Sequence, residues 1–319
     1  MGSFEATQLR RLSTTPARQP VRISGFTFVR NAVSLGYPLR ESLQSVLPVV
    51  DELIVVVAAA EPDDGTRALV ASLGDDRVRI VDAAWDEERG ERAYADLTNL
   101  ALDACIGDWC LYMQADEVLH EDDHARLRDR CRALLADERV DGLLFDYLHF
   151  FGDYGHVQKG QGWYPTEIRV VRNGSGIRSV RDAQSFRHAD GRRLTVARAR
   201  ATVFHYGWAR HPSVMQKKTR EFWSHRVSEQ DVDARCGSAL DFDYGPLGRL
   251  PRWDGKHPEV MKDRVAAMDW QASLRETDPP GTIRALHRDE QWLYRFLTGV
   301  TRLTGIDLNH KNHGRMLRV

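Results

Sequence analysis

The 319-residue sequence lacks a long apolar segment and an excess of charge of one sign, and each absence excludes a class of protein. Its longest strongly apolar run, residues 53–60, is far shorter than the roughly 20 residues that cross a bilayer. The 45 Lys and Arg residues nearly balance the 46 Asp and Glu residues, whereas chains that coat nucleic acid usually carry a basic excess. We therefore expect a soluble protein with no nucleic-acid partner.

Cysteine is scarce, and the N-terminus lacks the apolar core of a secretory signal. The four cysteines form no C-x-x-C pair, which argues against both a disulfide framework and a structural zinc site. Residues 1–20 contain arginine, serine and threonine, and they predict a flexible leader. A reducing cytoplasm is the simplest setting for such a chain.

The first half of the chain alternates between apolar runs of strand length and segments with helical periodicity. Strands are predicted at residues 21–28, 52–57, 77–81 and 109–113, and helices at residues 39–46, 66–73 and 94–104. This alternation predicts βαβ units and a mostly parallel sheet, hence an α/β fold. Ligands bind at the carboxyl ends of the strands in such sheets, so residues that follow the strands are the candidates for function.

The pattern changes after residue 118. A helix is predicted at residues 122–136, strands at 142–147, 167–172 and 199–205, and mostly helix and loop from residue 212 onward. The aromatic segment 146–154 contains Gly152, which favours an exposed loop. We divide the chain into the leader (1–20), a first half (21–118), a second half (119–210) and a mostly helical C-terminal region (211–319).

Two adjacent carboxylates, Asp116 and Glu117, come directly after the strand at residues 109–113. Acidic groups at the end of a buried strand need compensation by a divalent cation, by backbone N–H groups or by solvent. Oxygen ligands suit Mg²⁺ or Mn²⁺, which commonly join one or two carboxylates to phosphate oxygens. The same residues also fit a solvated helix N-terminus, so spacing alone leaves both interpretations open.

Several pieces in the same order resemble family-two glycosyltransferases with the GT-A fold, across most of residues 21–225. The pieces are residues 26–31 (FTFVRN), 55–57 (VVV), 64–66 (DGT), Trp85, Arg92, 99–102 (NLAL) and 107–119 (GDWCLYMQADEVL). The last piece contains the DxD region, in which Gln114 replaces the first aspartate. The resemblance implies a GT-A-like mixed sheet flanked by helices, with a helical C-terminal extension.

The resemblance further implies a metal-dependent glycosyltransferase that moves a sugar, with inversion, from a nucleotide-diphosphate sugar to an acceptor hydroxyl. It implies a nucleotide-sugar-binding half at residues 21–118 and an acceptor-binding half at residues 119–210, with the aromatic loop at 146–154 lining the site of the acceptor, a glycan or a small molecule. Mn²⁺ or Mg²⁺ would be held by Asp116 and His205. The residues expected to bind the donor are Phe28, Arg30, Asp64, Arg92, Gln114 and Lys217, the last beside Lys218 and Arg220. Asp182 is the first candidate for the base that deprotonates the acceptor, and Glu167 is the second.

Each of these assignments has a structural alternative. Asp64 begins a good turn and helix cap, Arg92 lies among other charges, and His205 suits a buried core position. Gln114 supplies no charge, which favours a non-catalytic nucleotide- or sugar-binding module with the same fold. Residues 292–303 form an amphipathic pattern, which predicts either a helix packed on the domain or a contact with a membrane surface or a second copy of the chain.

Overall fold

The computed structural model describes residues 20–59, 63–304, 314–317 and 319. The predicted flexible leader lies, except for Pro20, outside the described residues. Within the described ranges, no helix is both long and apolar enough to cross a membrane.

Strands and helices alternate through the first half of the chain, as the sequence predicts. The strands are β1 (Ile23–Val29), β2 (Glu52–Ala58), β3 (Val78–Ala83), β4 (Trp109–Tyr112), β5 (Glu117–Leu119), β6 (Gly142–Phe151), β7 (Val157–Gln158), β8 (Thr166–Arg172), β9 (Ile177–Val180), β10 (Ser185–His188), β11 (Thr195–Trp208) and β12 (Arg315–Met316). The helices are α1 (Leu39–Val46), α2 (Thr66–Ala71), α3 (Arg92–Asp103), α4 (His124–Leu134), α5 (Pro212–Ser224), α6 (Glu229–Cys236), α7 (Lys262–Ala266) and α8 (Trp292–Thr304).

A single mixed sheet forms the centre of the described structure. Its strand order is β12-β11-β6-β8-β4-β1-β2-β3, with β5 paired to β11 and β7 paired to β6. Strands β3, β2, β1 and β4 are parallel, and β8 lies antiparallel between β4 and β6. The predicted α/β fold with a mixed sheet flanked by helices is therefore confirmed. The sheet continues across residue 118, and the division into two functional halves stays a prediction.

Helices cover both faces of the parallel part of the sheet. Leu43 of α1 and Leu127 of α4 belong to one apolar core with Val55 of β2. Leu97 and Ala101 of α3 belong to the core on the opposite face. Because the central strands are covered on both faces, they read as continuous apolar runs rather than alternating ones. This cover leaves the carboxyl ends of the strands as the open edge of the sheet.

The prediction of an exposed aromatic loop at residues 146–154 is wrong. Strand β6 continues to Phe151 because its second half pairs with β11 on one side and with β7 on the other. Phe150 is fully buried, with its ring stacked on Tyr206 at 4.7 Å between centroids. The chain turns only at Gly152, where φ is +80°. Most of these rings therefore form core instead of lining an acceptor site.

The C-terminal region contains α5 to α8 separated by long irregular segments. The amphipathic pattern at residues 292–303 corresponds to helix α8. This helix leaves Trp292 77% exposed and Phe296 62% exposed. Its role in contacting a membrane surface or a second copy of the chain stays a prediction.

Candidate active site

A cavity of about 300 Å³ lies at the carboxyl ends of β1 and β4, the edge where the fold leads us to expect a ligand. Its lining includes the loops after β1 and β3, the start of α3, the segment after β4, the loop before β8, the tip of the β9–β10 hairpin, and α5. The predicted site residues in this lining are Phe28, Arg30, Gln114, Asp116 and Asp182.

The pairing of β5 with β11 brings Asp116 and His205 together. Asp116 directly precedes β5, and His205 of β11 is paired with Glu117. The Tyr206 N–H donates to the Asp116 carbonyl at 2.8 Å, which fixes the two segments side by side. As a result, His205 Nε2 lies 3.9 Å from Asp116 Oδ2.

Two cations surround the Asp116 carboxylate. Lys218 Nζ donates to Asp116 Oδ2 at 3.1 Å and to the Gly207 carbonyl at 2.8 Å. Arg210 Nη2 lies 4.0 Å from the same carboxylate oxygen. Burial by itself would raise the pKa of Asp116, but attraction to Lys218 and its neighbours outweighs burial and holds this pKa well below its usual range. Burial lowers the pKa of Lys218 to about 8.

Hydrogen bonds fix the tautomer of His205. His149 Nε2 lies 2.7 Å from the Tyr164 carbonyl oxygen. A carbonyl oxygen can only accept a hydrogen bond, so the N–H of the neutral His149 ring is on Nε2, and Nδ1 is an acceptor. His205 Nδ1 lies 2.9 Å from that nitrogen and therefore carries the proton. Burial lowers the pKa of His205 to about 4 and that of His149 to about 3, so both rings are neutral. The unprotonated Nε2 of His205 faces Asp116.

Gly207 is required by the close approach of these groups. A Cβ atom at residue 207 would lie 2.5 Å from His205 Nε2 and 2.8 Å from Asp116 Oδ2. Both distances are shorter than van der Waals contact, so a larger residue would push the histidine and the carboxylate apart.

The groups around Asp116 do not fit a resident Mn²⁺ or Mg²⁺. The cavity lining includes Asp116 and Lys218, whereas His205 is not part of it. Lys218 and Arg210 already place two positive charges within 4.0 Å of Asp116 Oδ2. Gln114 contributes an amide where a second carboxylate would offset the charge of a divalent ion. The predicted ligand pair therefore meets, but in surroundings that favour an anion.

Glu117 has a different role from its neighbour. Arg169 donates to both of its oxygens, at 2.9 and 2.7 Å, and the Tyr147 hydroxyl donates at 2.8 Å. The Gln114 N–H supplies a fourth hydrogen bond at 3.1 Å. Glu117 and Arg169 are both fully buried. This carboxylate joins β5, β6 and β8 and holds the segment that carries Asp116.

Aromatic side chains and an arginine form one end of the cavity. The Arg30 guanidinium lies over the Trp85 ring at 4.7 Å from its centroid. Tyr94 makes edge contacts with Trp85 at 5.3 Å and with Phe28 at 5.7 Å. Arg30 also donates to Glu221 Oε1 of α5 at 3.2 Å. Flat apolar faces beside a held cation suit a nucleobase and its ribose.

Asp182 lies at the tip of the β9–β10 hairpin, beside the cavity. Its carboxylate forms an ion pair with Arg226 at 3.2 Å. Both neighbours, Arg181 and Ala183, have positive φ, at 57° and 60°. Left-handed backbone at two non-glycine residues costs energy and is often found at functional sites. Glu167 lies buried inside β8, outside the cavity lining, and burial raises its pKa to about 8.

Three predicted donor-binding residues lie outside the cavity lining. Asp64 accepts from the Ser34 N–H at 2.9 Å and the Thr66 N–H at 3.0 Å, as a turn residue does. Arg92 is exposed at the start of α3, and Lys217 is exposed and lines a separate groove. Their roles in donor binding stay predictions.

Sequence reasoning did not single out the α5 face that borders the cavity. Lys218, Glu221 and Phe222 lie in the lining. Their spacing of three and four residues is that of one helix face, and this periodicity was the signal available to separate Lys218 from Lys217. Arg226, two residues after α5 ends, continues the same spacing four residues after Phe222 and contacts its ring.

No protein-family profile matches the sequence. Over 123 residues the chain is 28% identical to a Rickettsia felis protein named "Uncharacterized glycosyltransferase". The match includes 39% of this chain and 37% of the relative, so the chain spans little more than a third of that protein.

Solved structures with low overall similarity include S. aureus TarS and a glucosyl-3-phosphoglycerate synthase. Residues 1–349 of S. aureus TarS give a TM-score of 0.35 at 12% identity, over 66% of this chain and 68% of TarS 1–349. Glucosyl-3-phosphoglycerate synthase from Mycobacterium tuberculosis, solved with Mn²⁺, UDP and phosphoglyceric acid, gives 0.27 at 20% identity, over 40% of this chain and 43% of that one. The chain is therefore similar, over 39% of its length, to a protein that is named as a glycosyltransferase, and its mixed sheet is of the α/β class that the sequence predicts.

Proposed function

We propose that this protein transfers a sugar from a nucleotide-diphosphate sugar to an acceptor hydroxyl, with the cavity at the carboxyl ends of β1 and β4 as its active site. The observation that carries the proposal is the content of this one cavity. Its lining combines the Phe28–Trp85–Tyr94 ring cluster, the Asp116–Lys218 ion pair and the separate carboxylate of Asp182.

The donor would lie along the cavity from the rings to the ion pair. The ring cluster, with Arg30 held above Trp85, offers flat surfaces for a base. The Lys218 ammonium is at the cavity wall and offers charge to a diphosphate. Gln114 lies in the same lining and has an amide that can bind ribose or phosphate oxygens.

The reaction needs one base and one group that stabilises the departing diphosphate. The acceptor oxygen attacks the anomeric carbon, the bond from that carbon to the β-phosphate oxygen breaks, and the electron pair stays on the phosphate oxygen. Asp182 takes the proton of the acceptor hydroxyl. Because a nucleoside diphosphate is already a good leaving group, the reaction needs no second acid. A single displacement of this kind inverts the anomeric centre.

The sequence-based version of this reaction adds Mn²⁺ or Mg²⁺ bound by Asp116 and His205. A divalent cation would stabilise the charge of the departing diphosphate. The positive charges of Lys218 and Arg210 beside Asp116 argue against this version. Metal dependence stays a prediction, and chelation of divalent ions during the assay tests it.

Release of nucleoside diphosphate from UDP-, GDP- and dTDP-sugars tests the proposed function. We expect at least one donor to be hydrolysed slowly, and more rapidly with a suitable glycan or small acceptor. Asp182→Asn should lower turnover by about 10²- to 10⁴-fold with little change in donor affinity. The control is Asp190→Asn, which alters an exposed aspartate in the turn after β10.

A non-catalytic binding module is the second candidate, and Gln114 is the observation that favours it. An amide in the position of the first DxD carboxylate weakens the case for turnover but leaves binding intact. Nucleoside diphosphate binding without hydrolysis or transfer of any donor would support the module. Turnover that depends on Asp182 would exclude it.

A further inference from the structure

We infer that Lys218 takes the place of a divalent cation, because its ammonium group, held by Asp116, is positioned to bind the donor diphosphate and to stabilise it as it leaves. This inference rests on the proposed function and adds the identity of the cation. It predicts that donor binding and transfer proceed without Mn²⁺ or Mg²⁺.

The first argument is the geometry of the ammonium group. An ammonium group has three N–H donors. Two described partners, Asp116 Oδ2 at 3.1 Å and the Gly207 carbonyl at 2.8 Å, lie on the protein side of Lys218. Lys218 also lines the cavity, so its third donor is available to a ligand there. The side chain is packed against Tyr37, with Nζ 5.0 Å from the ring centroid, and is therefore held in place before a ligand arrives.

The second argument is the charge of the cluster. The formal charges of Asp116, Lys218 and Arg210 sum to +1, with the two cations 3.1 and 4.0 Å from the carboxylate oxygen. Arg210 is almost fully buried, and its Nε and Nη2 groups have no hydrogen-bond partner in the described part of the chain. A diphosphate would neutralise this cluster, whereas a divalent ion would raise its charge to +3 in surroundings that screen charge weakly.

The third argument is that the residues resembling a metal site each have a role when Lys218 is the cation. Asp116 orients Lys218 and keeps it in the cavity wall, so it acts as a positioning residue. The neutral His205 has its Nε2 atom 3.9 Å from Asp116 Oδ2, and Arg210 lies over Tyr37 at 4.6 Å from the ring centroid. Gln114 in the first DxD position fits the same account, because an ammonium group needs one carboxylate partner where a divalent ion would favour two.

In the transfer step, Lys218 acts on the leaving group. As the bond between the anomeric carbon and the β-phosphate oxygen breaks, the electron pair remains on that oxygen and the ammonium group stabilises the developing charge. The acceptor proton passes to Asp182 as described above. No external oxidant, reductant or metal is needed for the balance.

Calorimetric titration of the full chain with UDP, GDP and dTDP tests the inference directly. Each titration is run once with EDTA and once with Mn²⁺. We expect a dissociation constant in EDTA within about threefold of that in Mn²⁺ for the nucleotide that binds. Lys218→Gln should weaken binding by at least about tenfold in both buffers, since a charge-assisted bond to phosphate is lost. Lys218→Arg keeps the charge and should retain most of the affinity.

Lys262→Gln is the matched control, because Lys262 lies on α7 with its side chain 72% exposed. It should bind as the wild type does, and circular dichroism should show all variants folded. Wild-type binding that requires Mn²⁺, or unchanged binding by Lys218→Gln, would overturn the inference while leaving the proposed function intact. Absence of binding by every nucleotide in both buffers would contradict the proposed function itself, and this inference with it.

Discussion

Asp116 and Glu117 are adjacent in the chain, yet their carboxylates have opposite surroundings. Glu117 is fully buried and receives four hydrogen bonds, two of them from Arg169. Asp116 lies at the cavity wall and receives one side-chain hydrogen bond, from Lys218, which also lines the cavity. A carboxylate such as Glu117, which receives hydrogen bonds from several protein groups, stabilises the fold. A carboxylate such as Asp116, whose partner Lys218 can donate one more hydrogen bond, is suited to a ligand site.

The cost of each arrangement explains where it occurs. Removing a carboxylate and a guanidinium from water is expensive, and the Glu117–Arg169 pair recovers that cost only through complete, two-pronged bonding. The Asp116 cluster carries excess positive charge, which is tolerable at a cavity wall because water or an anionic ligand reaches it. The predictions below test this contrast in order of expected effect.

The largest expected effect is on stability at Glu117. Glu117→Gln leaves the fully buried Arg169 without a counter-ion and should lower the free energy of unfolding by about 3–5 kcal/mol. Denaturation by guanidinium chloride measures this change. Asp116→Asn should cost less, about 1 kcal/mol, because Lys218 lines the cavity and an asparagine oxygen can still accept its hydrogen bond. Equal losses for the two variants would break the comparison.

The second effect is on activity at Asp116. Asp116→Asn weakens the hold on Lys218, and a misplaced ammonium group should lower the transfer rate by about 100-fold. Initial rates of nucleoside diphosphate release measure this loss. The folded fraction of Glu117→Gln should keep more activity than Asp116→Asn does. The reverse order would show that Glu117, and not Asp116, controls the cavity.

The third effect, the smallest for a single pH unit, concerns a third carboxylate, Glu167, on the same strand as Arg169. Burial raises its pKa from 4.5 to about 8, so the folded state keeps a proton that the unfolded state has lost between these pH values. Since the folded state then binds more protons, wild-type stability should fall as pH rises from about 5 to 8, and level off above.

Glu167→Gln removes this titration, and the free energies of unfolding of the two proteins should diverge by about 1 kcal/mol per pH unit across the window. Urea denaturation at intervals between pH 5 and 9 measures the difference. Parallel pH profiles would show that folding does not change the protonation of Glu167, which would contradict this prediction.

Local patterns in the sequence predicted the parallel half of the fold well. The helix predicted at residues 39–46 is α1, and the strand predicted at 52–57 is β2 with one further residue. These elements follow from apolar periodicity and from breaks such as Pro48, which act within a few residues. The contact between Asp116 and His205 was expected from the family resemblance, and the β5–β11 pairing accounts for it.

The remaining features depend on long-range contacts that no local pattern encodes. Helical spacing groups Lys218 with Glu221 and Phe222, but the sequence does not show that this face of α5 packs toward Asp116. Arg210 and Lys218 join Asp116 only through the turn after β11. We predicted a loop for the aromatic second half of β6, because the strand that pairs with it, β11, lies far away in the chain. Polar sites of this kind emerge only once the sheet is assembled.

A crystal structure of the protein with a bound nucleoside-diphosphate sugar tests the central claim most directly. The account predicts the base against the Trp85–Tyr94 rings, the diphosphate within hydrogen-bond distance of Lys218 Nζ, and the anomeric carbon open toward Asp182. A nucleotide bound outside this cavity, or a diphosphate held by a divalent ion on Asp116 and His205 with Lys218 turned away, would contradict it.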